Sequence, residues 1–135
     1  MFRFSRKQQP DEEEKIDRIV AHIEDKKPLF NTGSLAITPK IIKELQLENV
    51  LFLLRLHDHG YWGIVPQVVS LSNSHIAAGN RQGHIVSRYE WDANEVMVVS
   101  ERVGTKHPLT KMYFVRDDAD LSANPSRSDE GRKTL

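Results

Sequence analysis

The hydrophobic period of this chain changes once, near residue 83, and that change limits what it can fold into. Before it, apolar residues recur at helical spacing: Ile16, Ile19, Val20 and Ile23 fall at i, i+3, i+4 and i+7. After it the period is two. Ile85, Ser87, Tyr89 and Trp91 alternate with Val86, Arg88 and Glu90, Val96 and Val98 alternate with Met97 and Val99, and Leu109 to Val115 forms a third run. Asp92-Ala93-Asn94 and the stretch with Gly104 and Pro108 separate the runs. Helices first and strands second predict an α+β fold. N-terminal helices should pack on one face of a three- to four-stranded antiparallel sheet with a C-terminal meander.

The helical half carries its own punctuation. Asp11 suits an N-cap, Glu12 to Glu14 suit the positive end of a helix, and Lys26 and Lys27 suit the other end. Ser34 to Ile37 is a short extended candidate. Thr38-Pro39 opens a helix with Ile41, Ile42 and Leu45 on its buried face. Asn49 is the expected cap of a second helix, Val50 to Asp58, with Val50, Leu53, Leu54 and His57 inward and Gly60 just past its end. A third helix is expected from about Pro66 to Ala78, stopped by Gly79-Asn80.

Charge divides the chain further. The 19 Lys and Arg balance 19 Asp and Glu, but unevenly along the sequence. Residues 1–10 carry three bases and no acid, and residues 11–27 carry seven acids and four bases. The expected organisation is a charged arm with an amphipathic helix over 1–27, one α+β domain over 28–116, and a polar, mobile tail over 117–135. An isolated helix the length of the arm is marginal in water. The stripe Ile16, Ile19, Val20 and Ile23 must therefore pack on the domain or on a protein partner or second copy.

Several function classes are excluded or disfavoured. The absence of cysteine removes disulfides, thiolate metal sites and a cysteine nucleophile. No run reaches the ~18 apolar residues of a membrane span, and the first residues lack a signal-like apolar stretch, so no membrane association and a cytoplasmic location are expected. Zero net charge disfavours nucleic acid as the main partner. His57 and His59 are two residues apart, about 200° around a helix, which does not make a metal pair, and no cofactor or metal is expected. Ser87 and Ser100 lack a nucleophile-elbow context. Residues 79–84 follow a helix instead of opening one, which is wrong for a phosphate cradle.

Leu29-Phe30, Gly33, Ala36-Ile37-Thr38-Pro39, Leu53-Leu54-Arg55-Leu56-His57, Gly60-Tyr61-Trp62-Gly63, Asn73, Ser87-Arg88-Tyr89, Val98-Val99-Ser100-Glu101 and Thr110 occur in that order. In this series the chain resembles a family of small proteins of plasmids, integrative elements and prophages, usually labelled "plasmid-related protein" or "type I restriction endonuclease subunit M". The likeness spans about residues 29–115. It departs from the family pattern at Tyr61, Arg88, Arg102 and Lys111. Methyltransferase chemistry does not carry over, because the chain lacks both a glycine-rich turn after a strand and an Asn/Asp-Pro-Pro-aromatic motif.

The resemblance implies an accessory gene product of a mobile element. The expected function is non-enzymatic: protein–protein interaction modulating host defence, replication or transfer, with partner or dimer contact through Ile16, Ile19, Val20 and Ile23. Trp62, Arg55, Asn73 and Arg88 are the candidate binding residues. The alternative is a small enzyme acting on nucleotide or nucleic-acid phosphate, with His57 as acid/base and Glu101 orienting it. A DNA-binding regulator is the third reading.

Overall fold

A computed structural model describes residues 3–4 and 10–116. Its elements are β1 (Arg3–Phe4), α1 (Pro10–Asp25), β2 (Ser34–Ile37), α2 (Pro39–Leu45), α3 (Leu47–Asp58), α4 (Gln67–Ala77), β3 (Gly83–Trp91), β4 (Asn94–Val103) and β5 (Leu109–Phe114). The fold is α+β, as the change of period predicts. The expected tail, 117–135, lies outside the described residues, and among those described no helix is long and apolar enough to cross a membrane.

The sheet is mixed, and this corrects the expected antiparallel one. Strand order is β1-β3-β4-β5-β2. The meander β3-β4-β5 is antiparallel, but β2 pairs parallel with β5 and β1 parallel with β3. The reason lies in the connections. Two-residue turns such as Asp92-Ala93 reverse a strand, and Asp92 takes the left-handed φ of 51° such a turn needs. By contrast, β2 is separated from β5 by three helices and two strands, and a long crossover permits parallel pairing.

Strand alternation sends Ile85, Ser87 and Tyr89, Val96, Val98 and Ser100, and Thr110, Met112 and Phe114 inward. Ile41, Leu45, Val50, Leu53, Leu54 and Leu56 complete the main core from α2 and α3. Ile42, expected inside, is exposed, because the i, i+4 pair Ile41 and Leu45 already takes the inner face. The helix α3 begins at Leu47, earlier than Asn49 predicts. Gln46 turns the chain with a φ of 76°, and the Asn49 side chain donates back to the Leu45 carbonyl at 2.6 Å instead of capping.

The arm's stripe packs on the chain's own domain, the first of the two alternatives for it. Ile19 is 5% exposed within the main core, Ile16 and Ile23 pack against it, and Val20 is half-buried. His22 Nδ1 lies 2.5 Å from the Tyr61 hydroxyl and fixes the helix in place. Ile19→Ala should therefore destabilise the protein by about 2–3 kcal/mol. Urea denaturation reads this directly. A variant as stable as the parent would mean that α1 contributes nothing to the core.

The outer edge of β3 is closed by three different devices. The Asn73 side chain donates to the Val86 carbonyl at 2.8 Å and accepts from its N–H at 3.1 Å. The Arg88 N–H donates to the Trp62 carbonyl, and its own carbonyl accepts from Ile64 N–H at 2.7 Å. Beyond them, β1 pairs with Glu90 and Trp91. Unpaired edges invite association, and here the backbone groups are satisfied in turn.

Candidate functional site

The segment Arg55-Leu56-His57-Asp58-His59 closes α3, and its two histidines have opposite chemistry. His57 is fully buried between the helix and the sheet. Its Nδ1 lies 2.5 Å from Ser87 Oγ and its Nε2 lies 2.9 Å from Ser100 Oγ. Ser100 Oγ contacts Thr110 Oγ1 at 2.5 Å, and Thr110 Oγ1 donates to the Thr32 carbonyl at 2.8 Å. The Phe30 ring stands edge-on to the imidazole at 5.3 Å between centroids.

The carbonyl at one end sets the direction of every proton in this chain. A carbonyl only accepts, so Thr110 spends its hydroxyl proton on Thr32. Ser100 must then donate to Thr110, so His57 Nε2–H donates to Ser100 and Nδ1 accepts from Ser87. The ring is one neutral tautomer with both nitrogens engaged. Burial also lowers its pKa to about 3, since no acid compensates a charge there.

His59 is the reverse case. Its Nδ1 faces the Arg55 carbonyl at 2.8 Å and Asp58 Oδ1 at 2.6 Å, and its Nε2 faces the Lys26 carbonyl at 2.9 Å. All three partners are acceptors, so both nitrogens carry protons and the ring is a cation. Burial works against that charge, but the Lys26 carbonyl, Asp58 carboxylate and Arg55 carbonyl outweigh it and hold the pKa above its usual value. Burial pushes the Asp58 carboxyl up, opposed by Arg55 at 3.2 Å and by His59. With the Asp58 carbonyl accepting from Leu29 N–H at 2.7 Å, this cluster fastens the strap after α1 to the end of α3.

The proposed acid/base pair does not form. Ser100 points to the helices, so Glu101, next along β4, points to the opposite face. There Glu101 holds Lys111 at 3.0 Å and lies 3.9 Å from Arg102. The candidate binding residues do not meet either. Trp62 is 9% exposed and packs with Ile76, Ile85 and Val103, its indole N–H without a hydrogen-bond partner among the described residues. Arg55 is on the surface against Asp58, Asn73 is buried on the β3 edge, and Arg88 pairs with Glu95 on the face turned away from the helices. Ser87 and Ser100, set aside above as nucleophiles, are the histidine's hydrogen-bond partners, and Thr110 extends the chain. Ser87, Ser100 and Thr110 are hydroxyls at inward positions of three apolar strands, a pattern that calls for a polar group opposite.

Among the described residues no group of three or more histidines and carboxylates could hold a metal ion. Comparison of the chain with family models, with curated proteins and with solved structures gives no match. Among the described residues, clefts lie at opposite ends of the meander. One, of about 430 Å³, is lined by Glu90, Asp92, Glu95 and Arg116, and the other, of about 400 Å³, by Asn31, Ser34, Arg102, Lys106 and His107.

Proposed function

We propose that this chain is a non-enzymatic accessory protein of a mobile genetic element that acts by binding another protein through the sheet face turned away from the helices. The observation that carries this reading is the make-up of that face. The inward residues at the centre of the meander are spent on the helices, and the outward ones place Val86 beside Val99 and Met97 beside Tyr113 across β3, β4 and β5. Two ion pairs flank this half-buried apolar centre, Arg88 with Glu95 and Lys111 with Glu101. An apolar centre inside a polar rim is how non-obligate protein interfaces are built. Because the flanking cations are already matched by carboxylates, little positive charge is left for a phosphate backbone, which favours a protein partner over DNA.

The mobile-element half of the reading rests on the resemblance over residues 29–115. The saturated hydrogen bonding of His57 and the separate placement of Glu101 favour binding over catalysis by that pair.

The test compares capture from a host lysate by the parent, by Val99→Glu on the sheet face and by Lys40→Glu on the helical side. Val99→Glu should cut recovery of the captured protein about tenfold, the effect of losing ~1.4 kcal/mol at an interface centre. Lys40→Glu should leave recovery unchanged, and binding should persist as salt is raised. Equal recovery by both variants, or a nucleic acid as the captured species, would overturn the reading.

A further inference from the structure

We propose that the cleft between residues 31–34 and the β4–β5 loop is a binding site for a small phosphate monoester, a site distinct from the sheet face. The cleft holds about 400 Å³, within the size range of pockets that take small ligands, and its lining includes Asn31, Ser34, Arg102, Lys106 and His107 without a carboxylate. Two cationic residues line it together with residues that carry a hydroxyl, an amide and an imidazole. A phosphate monoester carries between one and two negative charges near neutral pH and three acceptor oxygens, which is the complement of that set.

The site is built rather than incidental. Arg102 adopts a φ of 56°, a left-handed conformation that only roughly a few per cent of non-glycine residues adopt. Its guanidinium Nε donates to the His107 carbonyl at 2.9 Å, which holds the side chain across the mouth of its own loop. Thr105 Oγ1 donates to the Arg102 carbonyl at 2.7 Å and accepts from His107 N–H at 3.2 Å, so the loop is tied internally. On the other wall, Gly33 has a φ of 67°, and a Cβ there would lie 2.0 Å from the Pro108 carbonyl oxygen. Only glycine lets the two segments approach so closely, and Ser34 N–H then donates to that same carbonyl at 3.1 Å. Arg102 also lies 3.9 Å from Glu101, but Glu101 is engaged more closely by Lys111. Lys106 forms no ion pair among the described residues.

These features give a tied, acid-free cleft with two cations in its lining. The charge requires an anion, and the volume leaves room for more than a bare phosphoryl group. The ligand class is therefore a phosphate monoester no larger than a nucleoside monophosphate. Strain held in a loop by its surroundings is a frequent mark of a binding site.

The experiment is a titration of the full-length chain, followed by amide resonances, with adenosine monophosphate, adenosine and inorganic phosphate in low salt. Saturable shifts are expected at Gly33, Gly104 and Lys106 with adenosine monophosphate, weaker ones with inorganic phosphate, and none with adenosine. Lys106→Glu, on an exposed loop where folding is not at stake, should weaken the nucleotide at least tenfold. Absence of shifts at those amides, equal binding by Lys106→Glu, or binding of adenosine as tight as its phosphate would each overturn the proposal. Val99→Glu should bind the nucleotide like the parent, which separates this site from the sheet face.

Discussion

Acidifying the protein from pH 6.5 to pH 4 should remove roughly 3 kcal/mol of stability through His57 alone. In the folded chain this ring stays neutral down to about pH 3, whereas the unfolded chain protonates it near its ordinary pKa of 6.5. Between those values the unfolded state binds more protons, so stability falls as pH falls. The contribution is fully present above 6.5 and exhausted near 3. Asp58 acts in the opposite sense, because burial raises its pKa and the folded state takes up its proton first. Comparing the parent with His57→Asn at each pH cancels that effect. Urea denaturation at pH 7, 5.5 and 4 should show the gap between the two narrowing by about that amount as pH falls. Profiles that stay parallel would show that His57 is not held neutral. At pH 7, His57→Ala should cost about 3–5 kcal/mol, from the cavity it opens and the hydroxyls of Ser87 and Ser100 it leaves unpaired. In a domain stabilised by about 5–15 kcal/mol, that is a large share.

Gly63→Ala should be of comparable severity by a different route. Gly63 has a φ of 72°, and a Cβ there would lie 2.1 Å from the Arg88 carbonyl oxygen and 2.9 Å from the Tyr89 ring. Neither neighbour can yield. The carbonyl is fixed by Ile64 N–H at 2.7 Å, and the Tyr89 hydroxyl donates to the Tyr61 carbonyl at 2.6 Å from within the core. The expected loss is about 4 kcal/mol, a fall in Tm of roughly 15 °C for a domain near this size. Hydrogen exchange locates the damage: the amides of Arg88 and Ile64 should lose protection before those of Val98 or Met112 at the sheet centre. A thermal midpoint within 3 °C of the parent, a loss below ~1 kcal/mol, would show that residues 62–64 can leave the edge of β3 freely.

The elements with a clear period are legible in the sequence. Inward Ile85, Tyr89, Val96 and Val98 give β3 and β4 directly, and Thr38-Pro39 marks the start of α2 because proline fits only the first turn. What is missed depends on distance along the chain. Nothing local in Ser34 to Ile37 says that it will lie parallel to β5, since that pairing is set by a crossover through α2, α3 and α4. The apolar stripe of α1 is plain, but its target is not, because a helix face shows only that it must be covered. His57 is recognisable as a residue of interest at the end of α3. Its role is not, because its partners are contributed by two strands that the sequence places 30 residues or more away. Glu101 fails as its partner for the simplest reason, the alternation of side chains along a strand.

The hydroxyl chain through His57 also acts on how the sheet assembles. Its proton order runs one way, from Ser87 to the Thr32 carbonyl, and needs Ser100 level with Thr110 and Ser87 one inward position away, opposite Val98. A one-residue slip of β4 would turn Ser100 outward and bring Val99 or Glu101 inward. A two-residue slip would keep the apolar alternation but set Val98 or Arg102 against a buried imidazole that has a proton to place. Valines alone would tolerate that second error, and the histidine does not. Its cost in desolvation is thus the means by which mispaired sheets are kept out of reach.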